Sequence, residues 1–437
     1  MRNVYLSFLG TGKYEKATYV LAGRTASPTR FIQAAQFELL DAKRPDQAYI
    51  LVTKESRQKH FAELRNELES FAVQVQDIEL SNDMSEHGQW SWFETILQLI
   101  QPEDRLVVDL THGFRSMPII FATALNFLQK TRKVTLDHVF YGAFEQNPNQ
   151  PPIIDMRSFF DINLWADGVT RLVEDADASA LARTAEISPK KQFSELSDDH
   201  FTKKCRNITR LLKSIDVNNI GEEVQELLEK ICSMREHASP GTSILLEMME
   251  EKFSRLQVAE MSNPDKNGYT LSYYKMLLEL CRLLLDHGLI MQAFTVMREW
   301  IALLVMLYFE QQEHMNAGKR RKRVEHYSPF FFNMIQYDRE KWNFPESAQK
   351  KLQRLEPFYD TLADHHILDP LLLVEPTATD STLPIKRLSV YRNGFDHAWL
   401  GKSGMQPDME EQARVFLSRL EDVLQRLERY YAKQAEQ

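Results

Sequence analysis

At 437 residues the chain is too long for one ordinary hydrophobic core, and at about 150 residues per domain it calls for two or three. Its 43% hydrophobic and 26% charged residues are the balance of an ordinary soluble protein, and a net charge of -9 excludes a surface coated in basic groups for long nucleic acid, though not a local basic groove. Cys205, Cys232 and Cys281 are scattered without a CxxC pair, which argues against a disulfide framework or a cysteine zinc site and fits a reducing cytoplasm.

The first residues, Met1 to Tyr5, run directly into a strand-like pattern with no basic segment and long apolar stretch behind it, so no signal peptide is expected. The most apolar run, Trp300 to Phe309, is shorter than the ~20 residues a bilayer requires. The expectation is a cytoplasmic protein with no membrane partner.

Residues 1 to about 165 alternate strand and helix signals. Val4–Leu9, Ala48–Thr53, Val73–Leu80, Arg105–Leu110 and Asp137–Phe144 read as short apolar strands. Phe31–Leu40, Ser56–Phe71, Trp90–Ile100 and a helix from Pro118 through Lys130 read as the helices between them. Apolar strands separated by helices predict an α/β domain with a parallel sheet covered on both faces. Ligands of such sheets bind beyond the carboxyl ends of the strands, where the winding reverses. Two polar, glycine-bearing loops follow the first and fourth strands: Gly10-Thr11-Gly12-Lys13-Tyr14 and Thr111-His112-Gly113-Phe114-Arg115-Ser116. Gly10 and Gly12 would let backbone N–H groups approach an anion, and Pro118 would start a helix whose positive end faces the same place. Taken alone, each loop also reads as a plain glycine turn: Gly-Thr-Gly lacks the third glycine of a dinucleotide fingerprint, and no Walker Lys-Ser/Thr follows.

From Phe159 onward nearly every periodic stretch predicts helix: Phe159–Glu174, Ala178–Ile187, Thr202–Ile215, Glu222–Arg235 and Ser243–Ala259, then Leu289–Phe309, the most apolar. Met261 to Gly268 reads as a hinge-like loop, and Pro376 to Pro384 as a second loop. Within the apolar helix, Arg298-Glu299 reads as a buried ion pair or as a means of orienting a neighbouring helix. Lys319-Arg320-Arg321-Lys322-Arg323 is a compact basic run that reads either as a solvated loop or as a guide for RNA. His365-His366 has no ligand-spaced partners and reads as non-metal.

Near the C-terminus, Tyr391, Phe395 and Trp399 recur every four residues, the stripe of an amphipathic helix. On its flank Asn393 and His397 fall nearly in line, with Arg392 one residue back. A cation, an amide and an imidazole so placed suit a phosphodiester: arginine stabilises charge on phosphate oxygens, and histidine, with an ordinary pKa of about 6.5, exchanges protons near neutrality. Taken alone, the motif also reads as a surface helix with an exposed Arg and a capping His.

Leu9 to Tyr14 together with Asp109-Leu110-Thr111-His112-Gly113-Phe114-Arg115-Ser116-Met117-Pro118 resembles the CARF domain of CRISPR-associated effectors, with its DxTHG motif. Arg392-Asn393 to His397 resembles the Arg-x4-6-His signature of HEPN ribonucleases. CARF first and HEPN last is the order in the accessory ribonucleases of type III CRISPR systems. The resemblance implies a Rossmann-like CARF domain over residues 1–169, a helical connector over 170–262 and a helical HEPN domain over 263–437. In that family the type III complex, on sensing foreign RNA, makes cyclic oligoadenylates that bind across a CARF dimer and switch on metal-independent cleavage of single-stranded RNA. The residues implied to hold the ring are Gly10, Thr11, Gly12, Lys13, Tyr14, Thr111, His112, Gly113, Arg115 and Ser116. The implied catalytic set is Arg392, Asn393 and His397, with Lys319, Arg320, Arg321, Lys322 and Arg323 toward the RNA. No cofactor or metal is implied. The activator expected on family grounds is cyclic tetra-adenylate, with cyclic hexa-adenylate second, and the assembly a homodimer or larger. Three other readings stay open: a ligand-sensing regulator, an RNA-binding scaffold without nuclease activity, and a CARF site that itself cuts its ring through Thr11, Thr111, His112 and Arg115.

Overall fold

The structure is a computed structural model of the chain, and it describes residues 1–113, 116–187, 193–257, 264–337, 339–342, 344–374, 382–397, 399 and 409–436. Two compact units divide it, Met1–Leu164 and Trp165–Gln437.

In unit 1 the elements run β1 Asn3–Phe8, β2 Val20–Leu21, β3 Arg24–Thr25, α1 Ile32–Leu40, β4 Gln47–Val52, α2 Lys54–Ser56, α3 Ala62–Glu69, β5 Gln74–Glu79, α4 Glu86–Leu99, β6 Arg105–Asp109, α5 Met117–Arg132, β7 Thr135–Gly142 and β8 Ile153–Asp155. Six strands form one sheet in the order β5-β4-β1-β6-β7-β8. The strands through β7 are parallel. β8 departs from the parallel expectation: it runs antiparallel to β7, with Tyr141 opposite Ile154 and Gly142 opposite Ile153. Three residues behind the prolines at 148, 151 and 152 are too few to show a period of two. β2 and β3, two residues each, escape the sequence for the same reason.

The inner strands β1, β4 and β6 are apolar because both faces are covered. Val4, Leu6 and Phe8 pack with Trp92, Ile96, Phe121 and Leu125 on one side. Tyr5, Ile50 and Val52 pack with Phe31, Phe37 and Leu64 on the other. From β1 the chain winds outward through β4 to β5, then returns to place β6 on the opposite side of β1. The winding therefore reverses between β1 and β6, and the loops after these two strands flank the reversal.

α6 Arg157–Asp175 carries the division between units, and the expected boundary at residues 169–170 falls inside it. The other expected boundary, at 262–263, touches residues outside the described ones. Unit 2 continues with α7 Ser179–Ile187, α8 Asp199–Ser214, α9 Ile220–Arg235, α10 Pro240–Phe253, α11 Pro264–Asn267, α12 Leu271–Asp286, α13 Ile290–Gln312, α14 Ala317–Gln336, α15 Gln349–Asp364, α16 Asp369–Leu372, α17 Pro384–Asp396 and α18 Met409–Ala435. Caps set many of these starts: Asp198, Ser239 and Thr270 each accept a backbone N–H from the first turn of α8, α10 and α12.

α13 is the axis of the unit, against which α12, α14, α17 and α18 pack. It is longer than the apolar run Trp300–Phe309: at 23 residues it is long and apolar enough to cross a membrane by length and composition, and 67% of its apolar window is buried inside the protein. Two buried hydrogen bonds tie it to α12. Trp300 Nε1 donates to Tyr274 O at 2.9 Å, and Tyr274 Oη donates to Leu303 O at 2.6 Å, locking α12 to α13.

Candidate functional site

Unit 1 places its site at the carboxyl ends of β1, β4 and β6. Asp109, the last residue of β6, is fully buried, and among the described residues it has no ion-pair partner. Its carboxylate accepts from Ser7 Oγ at 2.8 Å, Gln36 Nε2 at 3.0 Å, Thr111 Oγ1 at 2.5 Å and the Thr111 N–H at 3.3 Å. Thr111 Oγ1 in turn accepts from Gly142 N at 2.8 Å. Four donors offset the cost of burying the charge. They also fix the loop after β6 to its own strand, to β7 and to α1. Thr111, expected on the ligand, thus has its hydroxyl committed to the scaffold.

Gly113 follows at φ +132°, a conformation open to glycine and costly for other residues, with Phe8 and Met117 within 3.5 Å of where a Cβ would sit. Phe114 and Arg115 lie outside the described residues. Ser116 caps α5 by position but not by side chain. Its Oγ and the Nε2 of His112 are buried and, among the described residues, without a hydrogen-bond partner. Burial pulls the pKa of His112 below the usual histidine value, with Asp109 acting in the other direction. A neutral imidazole and a hydroxyl with unused hydrogen-bonding capacity therefore stand at the positive end of a 16-residue helix.

The loop after β1 leaves Thr11, Gly12 and Lys13 exposed, with Lys13 4.0 Å from Glu15. Tyr14, expected among the ligand contacts, is buried. Its Oη accepts from the Gly10 N–H at 2.8 Å, and its ring packs on Phe31, His60 and His112. Burial pushes its phenol well above the ordinary tyrosine value. Tyr14 is the brace that joins the two loops.

Between the loops opens a cavity of about 140 Å³ whose lining includes Phe8, Gly10, Thr11, Thr53, Gly113 and Met117. Three residues near these loops were not singled out from the sequence. His60, on the helical turn after α2, reaches Gly12 O with its Nε2 at 2.9 Å. Thr53 and Ser56 form a reciprocal capping box where β4 ends. The spacing Thr-x-x-Ser after an apolar strand was the signal available for the latter.

In unit 2, α17 carries the second site. Phe294 of α13 meets Tyr391 and Phe395 at 5.5 and 5.9 Å between ring centroids, and Phe416 of α18 meets Tyr391 at 6.1 Å, which seats the helix by its apolar face. The helix ends sooner than the aromatic stripe predicts. Asp396 is its last residue, His397 is the C-cap with its N–H on Asn393 O, and Trp399 turns back at φ +58° with its N–H on Gly394 O. The Trp399 ring then covers Gly394, where a Cβ would fall 2.6 Å from it. The left-handed Trp399, with its N–H turned back to a carbonyl of the last turn, stops the helix.

On the outer face, Asn393 and His397 are exposed and Arg392 is half-buried. Arg392 Nη1 forms an ion pair with Asp396 and donates to Asn393 Oδ1 at 3.3 Å. Arg392 and Asn393 are thus joined through their side chains, with Asp396 added, and His397 is tied to Asn393 through its backbone N–H.

The basic run lies on the first turns of α14 rather than on a loop. Arg320 pairs with Glu310, Arg321 with Asp265, and Lys319 and Arg323 with Glu313. Lys322 is exposed and has no ion-pair partner among the described residues. Arg298 pairs with Glu299 at the surface of α13 and stacks over Phe332 at 4.7 Å, so the pair is not a buried one. His366 contacts Asp369 at 3.1 Å, and among the described residues no group of three or more His, Cys, Asp or Glu side chains is arranged to hold a metal ion.

No family model matches the chain. Among curated proteins, a CRISPR-associated protein of Methanocaldococcus jannaschii is 23% identical over 143 residues, 32% of this chain and 21% of that protein. The match thus spans about a fifth of the relative's length. Among solved structures, Enterococcus italicus Csm6 bound to cyclic hexa-2'-fluoro-hexa-dAMP aligns over 97% of this chain and 93% of that one, with 11% identity and a TM-score of 0.35.

Proposed function

We propose that the chain is a metal-independent endoribonuclease for single-stranded RNA, switched on by a cyclic oligoadenylate and serving type III CRISPR antiviral defence. The observation that carries this reading is that one chain holds two sites of matched chemistry. In unit 1, His112 Nε2 and Ser116 Oγ stand unpartnered among the described residues at a helix N-terminus beside an apolar cavity, a setting for phosphates next to a base. In unit 2, Arg392, Asn393 and His397 share one exposed helix end. The CRISPR-associated relative, matched over part of the chain, supports the same context.

In the proposed reaction the substrate's own 2'-hydroxyl attacks the adjacent phosphorus. A 2'-O–P bond forms, the P–O5' bond breaks, and the products are a 2',3'-cyclic phosphate and a free 5'-hydroxyl. His397 moves a proton between the attacking or leaving oxygen and solvent, a contribution of ~10² to 10⁴ in rate. Arg392 stabilises charge on the non-bridging oxygens, and Asn393 positions the phosphate. Ring cleavage in unit 1 has less support, since Thr111 Oγ1 already donates to Asp109 and accepts from Gly142.

A ring of adenylates has rotational symmetry, which suits a two-fold dimer presenting each loop twice. An exposed apolar face is available for it on α4 and α5. Trp90, Ile119 and Phe127 are 57%, 71% and 46% exposed, and Phe93 joins Trp90 to Phe127 at 5.6 and 6.0 Å. α5 begins directly after the Thr111–Ser116 loop, so two copies meeting on this face would bring both loops together.

The test of the catalytic assignment is His397→Ala. Cleavage is expected to fall to background while activator binding, measured by calorimetry, is unchanged. Equal cleavage by wild type and variant would refute the assignment.

A further inference from the structure

Asp396 breaks a local rule. It is the last residue of α17, the end at which the helix dipole disfavours an anion. It is retained there in an i,i+4 ion pair with Arg392, both side chains only about one-third exposed at 35% and 28%. The same Nη1 of Arg392 reaches Asn393 Oδ1, and its Nε is buried without a partner among the described residues. The guanidinium proposed to receive a phosphate is therefore already facing a carboxylate.

We propose that Asp396 is a built-in counter-ion that competes with the scissile phosphate for Arg392, making it a gating residue of the α17 site; this rests on the ribonuclease reading above. A phosphodiester and a carboxylate cannot both neutralise one guanidinium at contact distance without repelling each other. RNA must displace Asp396, and a weakly competing anion is rejected. At separations of about 4 Å near a protein surface, relieving this competition corresponds to a three- to ten-fold change in affinity.

The experiment titrates a fluorescein-labelled, fully 2'-O-methylated single-stranded RNA, which lacks the attacking hydroxyl, against wild type, Asp396→Asn, Arg392→Ala and the double variant. Fluorescence anisotropy reads binding, and circular dichroism checks that each variant is folded. Cleavage of ordinary RNA is followed in parallel, with cyclic oligoadenylates of three to six units supplied as activators. Asp396→Asn is expected to bind about three- to ten-fold tighter, with the gain absent when Arg392 is also removed, and to lower KM while kcat stays within about two-fold. Unchanged or weaker binding by a folded Asp396→Asn overturns the proposal, since Asp396 then only holds the helix end. A gain that persists without Arg392 also overturns it, as a general charge effect. If no protein cleaves RNA but the Arg392-dependent gain appears, the counter-ion assignment stands and the ribonuclease reading falls.

Discussion

At the residue scale, His112 is the side chain whose environment makes the most specific demand. Its burial lowers its pKa in the folded state, so below the unfolded value of about 6.5 the unfolded chain binds more protons than the folded one. Its contribution to stability is thus fully present above pH ~6.5 and is lost as pH falls toward the depressed folded value. Urea unfolding followed from pH 8 to pH 5 is expected to show a shallower acid-side loss in His112→Asn than in wild type. Identical slopes would mean that His112 is not held neutral in the fold. The part of this site legible in the sequence was the loop with its glycines. The part that was not was which hydroxyls are free: Thr111 is tied to Gly142, 31 positions away, and the shorter contacts of Thr111 with Asp109 and of Tyr14 with Gly10 form only once the buried loop has folded.

At the element scale, α17 shows where a periodic pattern stops being a helix. Tyr391, Phe395 and Trp399 keep the spacing of four, yet Trp399 is left-handed and lies over Gly394. Gly394→Ala therefore meets the indole. It is expected to destabilise unit 2 by about 1–3 kcal/mol, beyond the ~0.5–1 kcal/mol that alanine adds to a helix, and to lower cleavage because His397 lies between the two contacts. Gly12→Ala is the control: nothing lies within 4 Å of its Cβ position, so its stability change is expected to be under about 0.5 kcal/mol. Urea midpoints for the two variants check both. The apolar inner strands and capped helices were readable because each is governed by its own residues. The antiparallel β8 and the ion pairing of Lys319–Arg323 were not: the first is too short for a pattern, and the second involves Asp265, Glu310 and Glu313, which lie up to 56 positions away in the sequence.

At the scale of the whole molecule, the proposed switch needs two copies. Charges placed on the exposed aromatic face, as Trp90→Glu with Phe127→Glu, are expected to turn a dimer into a monomer in sedimentation velocity and to reduce activator affinity at least ten-fold, since each copy would then offer half a site. A dimer of unchanged stability would move the interface elsewhere.

The measurement that bears most directly on the central claim is cleavage of a fluorescent single-stranded RNA in EDTA, with and without cyclic oligoadenylates of three to six units. Cleavage is expected to be at background alone and to be switched on by one ring, cyclic tetra-adenylate first and cyclic hexa-adenylate second, with His397→Ala silent throughout. Silence of the wild-type protein with every ring, or cleavage indifferent to all of them, would contradict it.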